Sequence, residues 1–305
     1  MSLVRSVVVY GAGAVGGVIA ARLSLAGHDV TAVARGEHLD AIRANGLHLD
    51  TTDGVHVVRI QAVRTAADVD WSRAPLVVLA VKSHQTATAL ADLARHAPEE
   101  TAVVCAQNGV ANEQAALRDF ANVYGVTVML PAQHLEPGVV VQSCHPVPGV
   151  LDLGRYPEGL DETAERLCAD LRSAGFESLP RPDIMAWKYR KLVANCVGDV
   201  RTVLPDEAAS LAPQVRAEAE AAILAAAIPM VRAVDLEARG SLLRTRLTGP
   251  SPNSLGQSLA RGLDTEIDFR AGEVIMTGRR VGVPTPANER VQRAVRGHVD
   301  PRDRR

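Results

Sequence analysis

The segment that most constrains the fold is VVVYGAGAVGGVIAARL, residues 7–23. An apolar run ends at Tyr10, a glycine-rich turn follows, and a helix-forming stretch begins directly after it. The GxGxxG spacing assigns the three glycines different tasks: a tight turn, backbone approach to a pyrophosphate, and close packing of the helix on the strand. A glycine-rich turn without a ligand is the alternative, but a second apolar strand ends near residue 33 and completes a βαβ unit. The sequence therefore predicts dinucleotide binding by Gly11, Ala12, Gly13, Ala14, Val15 and Gly16.

The end of the second strand indicates which dinucleotide is favoured. NAD-binding versions carry an acidic residue there, about 20 residues along, which binds the ribose 2′-hydroxyl. Here Ala34 and Arg35 occupy that place. An arginine forms charge-assisted hydrogen bonds with a 2′-phosphate, whereas a carboxylate would repel it. The pattern favours NADP(H), with one alternative: Glu37 takes the acidic role and Arg35 is a solvated loop residue.

Two later stretches, 74–94 and 101–117, repeat the order of buried strand, short polar turn and helix. They predict further units of the same parallel sheet. Ligands of such sheets bind beyond the carboxyl ends of the strands, and four polar residues are expected at this cofactor edge: Lys82, Gln85, Gln107 and Asn108. Each of them could instead cap a helix or lie in a solvated turn. The segment 53–63 predicts a small hairpin, and 139–155 predicts two late strands.

Length and composition indicate two domains. The 305 residues are 47% hydrophobic, and strand patterns give way to Ala- and Leu-rich helical patterns after about residue 183. The predicted fold class is α/β, with an N-terminal Rossmann-type doubly wound sheet and a C-terminal all-helical domain. We place the domains at 1–178 and 179–305, within a connector at 172–183. A long Ala-rich helix predicted over 214–239 could serve a core or an interface, which leaves a homodimer open.

Charge and cysteine content exclude several classes of function. The formal charge is −2 and only 3% of residues are aromatic, so neither nucleic acid nor an anionic membrane is an expected partner. No apolar segment reaches the roughly 18–20 residues that cross a bilayer. The four cysteines have no CxxC spacing and no signal peptide is recognisable, so we expect a cytoplasmic protein without a metal site.

The stretch KYRKLVANCVGD, residues 188–199, carries polar groups at intervals of four. At helical periodicity Lys191, Asn195 and Asp199 lie about 40° apart in succession and form one slanting stripe. The stripe is either the solvated face of an amphipathic helix or a row of groups aimed at a substrate. Flanking apolar residues leave little room for a wide polar face, and asparagine is a mediocre helix former. Both observations favour a functional stripe.

The motifs together resemble the ketopantoate reductase family over nearly the full length of the chain. They are, in order, GAGAVGG, VARGEHLDAIRANGL, VKSHQ, QNGVANE, EPGVV, WKYRKLVAN, TEIDF and GVPTPANERV. The resemblance implies NADPH-dependent reduction of a 2-oxo acid to a 2-hydroxy acid in a cleft between the two domains. Ketopantoate, whose reduction belongs to pantothenate biosynthesis, is the first expected substrate.

The resemblance also implies roles for individual residues. Lys191 matches the catalytic lysine, which would protonate the oxygen that becomes negative when hydride adds to the ketone. Glu266 matches the acid that orients this lysine and contacts substrate or cofactor. The implied substrate-binding residues are Asn108, Asn195, Asp199 and Ser254. The implied cofactor-binding residues beyond the glycine turn are Arg35, Lys82, Gln85, Asn108 and Glu266. Lys188, Arg190 and Asp268 are charged neighbours that compete for these assignments.

Three positions depart from the pattern that the resemblance leads us to expect. Asp199 and Ser251 stand in place of asparagines, and Ser258 stands in place of an aspartate. A carboxylate at position 199 would repel an anionic keto acid, unless it is protonated or pairs with a cation such as Arg201.

Three functional hypotheses therefore stay open. The first is ketopantoate reduction. The second is a paralogue that reduces a different ketone or imine in a specialised pathway. The third is a non-catalytic NADP(H)-binding regulator, against which the retention of Lys191, Asn195, Ser254 and Glu266 argues.

Overall fold

The computed structural model describes residues 5–73, 75–134, 136–245 and 254–299, so that Ser251 lies outside the described residues. The chain divides into two compact units. The first comprises Met1–Asn108, Asn112–Ile184 and Glu237–Arg246, and the second comprises Gly109–Ala111, Met185–Leu236 and Leu247–Arg305. The sequence placed the change of domain at residues 178–179, whereas the chain leaves the first unit after Ile184 and returns to it at Glu237.

The first unit contains the strands of the protein that the structure describes. They are β1 (Ser6–Tyr10), β2 (Asp29–Val33), β3 (Leu47–Thr51), β4 (Gly54–Val58), β5 (Gln61–Val63), β6 (Leu76–Leu79), β7 (Ala102–Cys105), β8 (Asn122–Met129), β9 (Ala132–Gln133), β10 (Val139–Gln142) and β11 (Val150–Arg155). The helices are α1 (Ala14–Leu25), α2 (Gly36–Asn45), α3 (Thr86–His96), α4 (Asn112–Ala116) and α5 (Glu162–Ser173). Short 3-10 turns lie at Ala66–Asp68, Trp71–Arg73 and Ser83–Gln85.

Seven strands form the main sheet in the order β11-β8-β7-β6-β1-β2-β5. All neighbouring pairs are parallel except β11 with β8, which is antiparallel. The strand order reverses between β1 and β6, the point at which doubly wound sheets bind their ligands. Both faces of the sheet are covered by apolar residues, with Val7 and Val9 on one side and Val8 and Tyr10 on the other. The predicted parallel α/β fold is therefore confirmed.

A second, four-stranded sheet has the order β4-β3-β10-β9 and corrects one prediction. The hairpin is formed by β3 and β4 rather than by residues 53–63, and β5 joins the main sheet beside β2. The sequence missed β3 because helix α2 passes into it directly. Gly46, at φ +83°, makes that sharp reversal with one residue. The two late strands predicted within 139–155 are β10 and β11, and they lie in different sheets.

Backbone pairing explains why the connector stays with the first unit. Residues 177–181 run beside β11, with hydrogen bonds from Leu151 N to Glu177 O at 2.8 Å and from Arg181 N to Leu153 O at 2.8 Å. The fully buried carboxylate of Asp152 on β11 accepts from Arg181 and, at 2.7 Å and 3.0 Å, from Arg239. Arg239 belongs to the returning segment Glu237–Arg246, which this ion pair fixes to the first unit.

The second unit is helical, as predicted. The helices of the C-terminal part are α6 (Ile184–Val203), α7 (Ala208–Ala225), α8 (Ala233–Gly240), α9 (Ser254–Ala260), α10 (Ala271–Val281) and α11 (Pro286–Val299), with 3-10 turns at Pro205–Glu207 and Ile267–Phe269. Its apolar core includes Leu192, Val193 and Val200 of α6 and Val215 of α7. No helix within the described ranges is long and apolar enough to cross a membrane. All four cysteines are buried and unbridged.

The single helix predicted over 214–239 was wrong. Helix α7 ends at Ala225, Ala227 has a positive φ of 55°, and α8 begins only at Ala233. Pro229 disfavours the helical conformation at the residue before it and has no N–H to donate. These local restrictions override the helix-forming tendency of the alanines.

We expect Asp152→Ala to lower the free energy of unfolding by about 3–5 kcal/mol, because it removes the carboxylate shared by two arginines that are largely buried. Urea unfolding followed by tryptophan fluorescence, to which Trp71 of the first unit and Trp187 of the second contribute, measures the change. Glu162→Ala, which removes an exposed pair with Arg166, is the matched control and should cost no more than about 1 kcal/mol. Equal effects of the two substitutions would contradict the role given to Asp152.

Candidate active site

The glycine turn has the geometry that a dinucleotide requires. Gly11 has a φ of +100°, and a Cβ there would lie 2.7 Å from Val81 Cγ1. A Cβ on Gly16 would lie 2.0 Å from the Gly11 carbonyl oxygen, so both positions demand glycine. A Cβ on Gly13 would meet nothing within 4 Å among the described residues, so the backbone faces open space there. The three positions fit the roles of turn, helix packing and ligand approach.

Helix α1 begins beside that open space. Gly13 is its N-cap, and among the described residues no side chain caps it or places an acidic group in its first turn. The first N–H groups of a helix have no partner within the helix, and together with the helix dipole they favour an anion. The end of α1 is therefore suited to the phosphates of a nucleotide.

His38, which sequence reasoning missed, holds the glycine turn in place. Its Nδ1 accepts a hydrogen bond from Gly138 N at 2.8 Å, so its Nε2 carries the proton and donates to Ala12 O at 2.7 Å. Burial and the neighbouring His134 ring lower the pKa of His38, while the Ala12 carbonyl opposes this shift. A neutral imidazole thus links the turn to the loop before β10. The signal in the sequence was a lone histidine in VARGEHLD, which no periodicity distinguishes.

Arg35 lies just beyond the carboxyl end of β2, near the Tyr10 hydroxyl. Its side chain acts on the buried Tyr10 hydroxyl, which donates to Asp92 Oδ2 at 2.7 Å. Burial and Asp92 raise the pKa of Tyr10 to about 12, and Arg35 opposes this shift. Glu37, the alternative acid, is exposed in the first turn of α2. The exposed guanidinium of Arg35 is thus held at the strand ends near the glycine turn.

The other predicted cofactor residues of the first unit differ in exposure. Lys82 and Asn108 are half-buried and Gln85 is exposed, whereas Gln107 is buried. Gln107 Nε2 donates to Val81 O and Thr86 Oγ1, both at 2.8 Å. Its amide nitrogen therefore binds the turn that follows β6 rather than facing the open edge.

Asn112 belongs to the same hydrogen-bond network and was also missed. Its side chain accepts from Thr86 at 2.8 Å and donates to Asn108 O at 3.1 Å. The network fixes the backbone that carries Asn108. Its signal in the sequence is a second asparagine four residues later, which resembles an ordinary helix start.

In the second unit, the predicted polar stripe lies on α6. Lys191 and Asn195 are half-buried, and Asp199 is fully buried with 0% of its surface exposed. A solvated helix face would leave these groups in water. The stripe is therefore largely withdrawn from solvent, and the buried carboxylate of Asp199 requires a partner.

The partner of Asp199 is Arg270, not the exposed Arg201. Arg270 NH1 donates to Asp199 Oδ1 at 2.7 Å, and Arg270 NH2 donates to Ser254 Oγ. Arg270 is itself 4% exposed. It has non-helical backbone angles (φ −125°, ψ −92°) between the 3-10 turn Ile267–Phe269 and helix α10. The sequence predicted helical patterns throughout this half of the chain, so the break at this position, and with it Arg270, was missed.

The charges of the Asp199–Arg270 ion pair act on Lys191, the predicted proton donor. Burial and the positive charge of Arg270 lower the pKa of Lys191 to about 8, and the negative charge of Asp199 opposes this shift. The neighbouring Arg190 is engaged elsewhere, since it donates to Glu220 and to Val231 O. The charges of Asp199 and Arg270 therefore act on Lys191, whereas Arg190 is held by Glu220 and Val231.

The two acidic residues of TEIDF, Glu266 and Asp268, differ in their exposure to solvent. Glu266 is 8% exposed. Burial lowers the pKa of Arg270, but the negative charges of Asp199 and then Glu266 outweigh this effect and raise it. Asp268 is exposed and accepts from Arg296 at 2.8 Å. Glu266 thus joins the buried charges, whereas Asp268 lies at the surface.

Ser258, the remaining departure from the expected pattern within the described residues, adds no charge to the site. Ser258 is buried and its hydroxyl donates to Ser254 O at 3.1 Å within α9. Among the described residues, no group of three or more histidine, cysteine, aspartate or glutamate side chains could hold a metal ion. The charged cluster of the second unit consists of Lys191, Asp199, Glu266 and Arg270, with Ser254 bonded to the guanidinium.

Comparison with known proteins accounts for both units. The family model described as Ketopantoate reductase PanE/ApbA matches residues 7–158, and its C-terminal counterpart matches residues 183–299. The chain belongs to the ketopantoate reductase family. It is 30% identical to the 2-dehydropantoate 2-reductase of Mesorhizobium japonicum, over 95% of this chain and 96% of that one. It is 29% identical to that of Pyrococcus horikoshii, over 92% and 93% of the two chains. The protein is thus an oxidoreductase of the ketopantoate reductase type.

Solved structures extend the likeness in fold. A PanE/ApbA family ketopantoate reductase from Ralstonia eutropha JMP134 superposes with a TM-score of 0.83 at 25% identity, covering 98% of this chain and 99% of that one. D-mandelate dehydrogenase, in its ternary structure with NADH and anilino(oxo)acetate, has a TM-score of 0.85 at 22% identity, covering 97% and 98%. The second likeness concerns the fold alone.

The glycine turn yields a paired prediction. Gly13→Ala should leave thermal stability nearly unchanged, because its Cβ would enter open space, but should weaken nicotinamide nucleotide binding by about tenfold or more. Gly16→Ala should lower the melting temperature, because its Cβ would collide with the Gly11 carbonyl. Calorimetric titration with NADPH and thermal unfolding measure the two effects. Unimpaired nucleotide binding by Gly13→Ala would remove this turn from the cofactor site.

Proposed function

We propose that this protein reduces a 2-oxo acid to the corresponding 2-hydroxy acid with NADPH, that ketopantoate is its preferred substrate, and that Lys191 is the proton donor. The observation that carries the proposal is the half-buried lysine on α6, with a pKa lowered to about 8 beside the buried Asp199–Arg270 pair. The family relationship supports the reaction class.

The surroundings of Lys191 suit an acid that works near neutral pH. With a pKa of about 8 the side chain is roughly 90% protonated at pH 7, yet it releases its proton far more readily than an ordinary lysine. The bound cofactor would supply the hydride. Lys191 would then stabilise the negative charge that develops on the carbonyl oxygen and neutralise it with a proton.

The groups proposed to bind the substrate are amides and a hydroxyl: Asn108, Asn195 and Ser254. Because Ser254 Oγ accepts from Arg270, its own hydrogen is available for a substrate oxygen. Glu266, coupled to Arg270, is proposed to orient the cationic groups. Reduction requires that these residues and the nicotinamide act on the same substrate molecule, which is part of the proposal.

The pairing of Asp199 weakens the case for the second hypothesis, in which a different ketone or imine is the substrate. That hypothesis depended on an unneutralised carboxylate in the substrate site. Arg270 neutralises it at 2.7 Å, so an anionic keto acid meets no unbalanced negative charge from Asp199. The cofactor preference is supported by Arg35, whose guanidinium can bind a 2′-phosphate. The D-mandelate dehydrogenase structure contains NADH, so the two cofactors need to be compared directly in this protein.

Lys191→Ala should lower kcat for ketopantoate reduction by about 10²- to 10⁴-fold, because the proton donor is lost, while NADPH binding is retained. Lys191→Arg is the matched variant. It keeps the positive charge, but a guanidinium does not release its proton, so turnover should stay low. Steady-state NADPH oxidation against a panel of 2-oxo acids and imines measures these effects. Wild-type turnover by Lys191→Ala would refute the proton donor, and an inactive wild type would favour the regulator hypothesis.

Arg35→Ala should raise KM for NADPH by about 10- to 100-fold and leave KM for NADH nearly unchanged, because it removes a charge-assisted contact to the 2′-phosphate. Glu37→Gln is the control for the alternative assignment and should not alter the NADPH to NADH ratio. Parallel kinetics with both cofactors provide the measurement. An unchanged ratio in Arg35→Ala would argue against NADP(H) selection by this residue.

A further inference from the structure

The ion pair between Asp199 and Arg270 is buried. Asp199 has no exposed surface and the Arg270 side chain is only 5% exposed. Taking two charges out of water is costly, and the cost is offset only when geometry and further hydrogen bonds are favourable. Replacement of such a pair by apolar residues is often neutral or stabilising. A requirement for stability alone is therefore a weak reason for these two charges to be buried here.

The contacts of Arg270 link the pair to the groups of the proposed reaction. One nitrogen donates to Asp199 Oδ1, and another donates to Ser254 Oγ. A serine hydroxyl has one hydrogen to donate, and the guanidinium occupies an acceptor site, so that hydrogen is directed elsewhere. Arg270 thus acts on Ser254 by orienting it.

Lys191 senses the pair through charge. The charged groups that act on it are Arg270, from the segment before α10, and Asp199, from its own helix. Glu266 and Cys196 act in turn on Arg270. Burial raises the pKa of the Cys196 thiol, which therefore stays neutral. Arg270 lowers and Asp199 raises the pKa of Lys191. The two members of one pair act in opposite directions on the proton donor.

We propose that Asp199 and Arg270 are positioning residues of the reductase: Asp199 holds the guanidinium of Arg270, which orients the Ser254 hydroxyl for the substrate and sets the positive field in which Lys191 donates its proton. The inference rests on the proposed function, and it assigns Asp199 a role that needs no contact with the substrate. The pair has no net charge. It therefore leaves the positive charge of Lys191 available to an anionic 2-oxo acid.

A direct test exploits the scarcity of lysine in this chain, which contains only Lys82, Lys188 and Lys191. Protein labelled with ¹³C at the lysine side chains gives three titratable signals, and Lys191→Arg identifies the one that belongs to Lys191. No substrate or cofactor is needed. We expect the Lys191 signal to titrate near pH 8 in the wild type.

Three variants separate the two charges. Asp199→Asn removes the anion and should lower the titration midpoint of Lys191 by about one pH unit, whereas Arg270→Gln removes the cation and should raise it by a similar amount. The double variant Asp199→Asn with Arg270→Gln leaves no unpaired buried charge, so it remains testable if a single variant fails to fold. Its midpoint should lie between those of the single variants.

Arg239→Gln is the matched control. It removes another largely buried arginine that pairs with a fully buried carboxylate, Asp152, but in the first unit. It should lower stability without moving the Lys191 midpoint. A generally loosened structure would instead move the Lys191 midpoint in every variant toward the ordinary value for lysine.

Kinetics test the effect on the substrate. Arg270→Gln leaves a buried carboxylate, so KM for an anionic 2-oxo acid should rise by about tenfold or more, and the pH at which kcat/KM declines should move upward. Asp199→Asn, whose amide oxygen can still accept from Arg270 and so keep Ser254 oriented, should move that decline downward without raising KM. Arg270→Lys, which keeps the charge but not the forked geometry, should retain the pH profile better than it retains KM.

The outcomes distinguish this inference from the proposed function. Midpoints that move in the same direction in both single variants, or in neither, would overturn the pair's role even if the wild type reduces ketopantoate. Opposite movements in a wild type that reduces no 2-oxo acid would support the electrostatic coupling and refute the proposed function.

Discussion

A carboxylate at the centre of a helical unit has to be neutralised, and the second unit is organised around this requirement. Asp199 belongs to helix α6, and the cation that satisfies it is 71 residues further along the chain. Arg270 reaches it because the helical path is interrupted just before α10. Its second contact adds Ser254 of α9. One buried ion pair therefore fixes the relative positions of three elements that carry proposed substrate-binding or catalytic groups.

The first unit also contains a buried carboxylate that is neutralised by arginine, and there its role is structural. Asp152 is as buried as Asp199, and it accepts from two arginines that fasten the connector and the returning segment to β11. In the second unit a lysine lies near the pair, and its proton affinity depends on both charges. Buried charge is structural in one unit, and in the other it also determines the acidity of a side chain that can donate a proton.

Much of the fold follows from local patterns. The glycine turn could be predicted because its GxGxxG spacing is local, and a Cβ on Gly16 would collide with the carbonyl of Gly11 in the same turn. The stripe on α6 followed from helical periodicity. The missed features have a different origin. Strand β3 and the break between α7 and α8 depend on single residues, Gly46 and Pro229, that override the surrounding composition. His38 acts through two backbone groups, one of them 100 residues away.

The sequence by itself determined the two fold types, the glycine turn, the positions of Lys191 and Asn195 on one helix face, and the family. These follow from backbone sterics and from the spacing of residues close together in the chain. Only the tertiary structure decided that Asp199 pairs with Arg270 rather than Arg201, that Glu266 is buried while Asp268 is exposed, and that Gln107 donates to Val81 and Thr86 beyond the neighbouring strand β6. Electrostatic partners are chosen by distance in space and by exclusion of water, and neither quantity can be computed from separation along the chain.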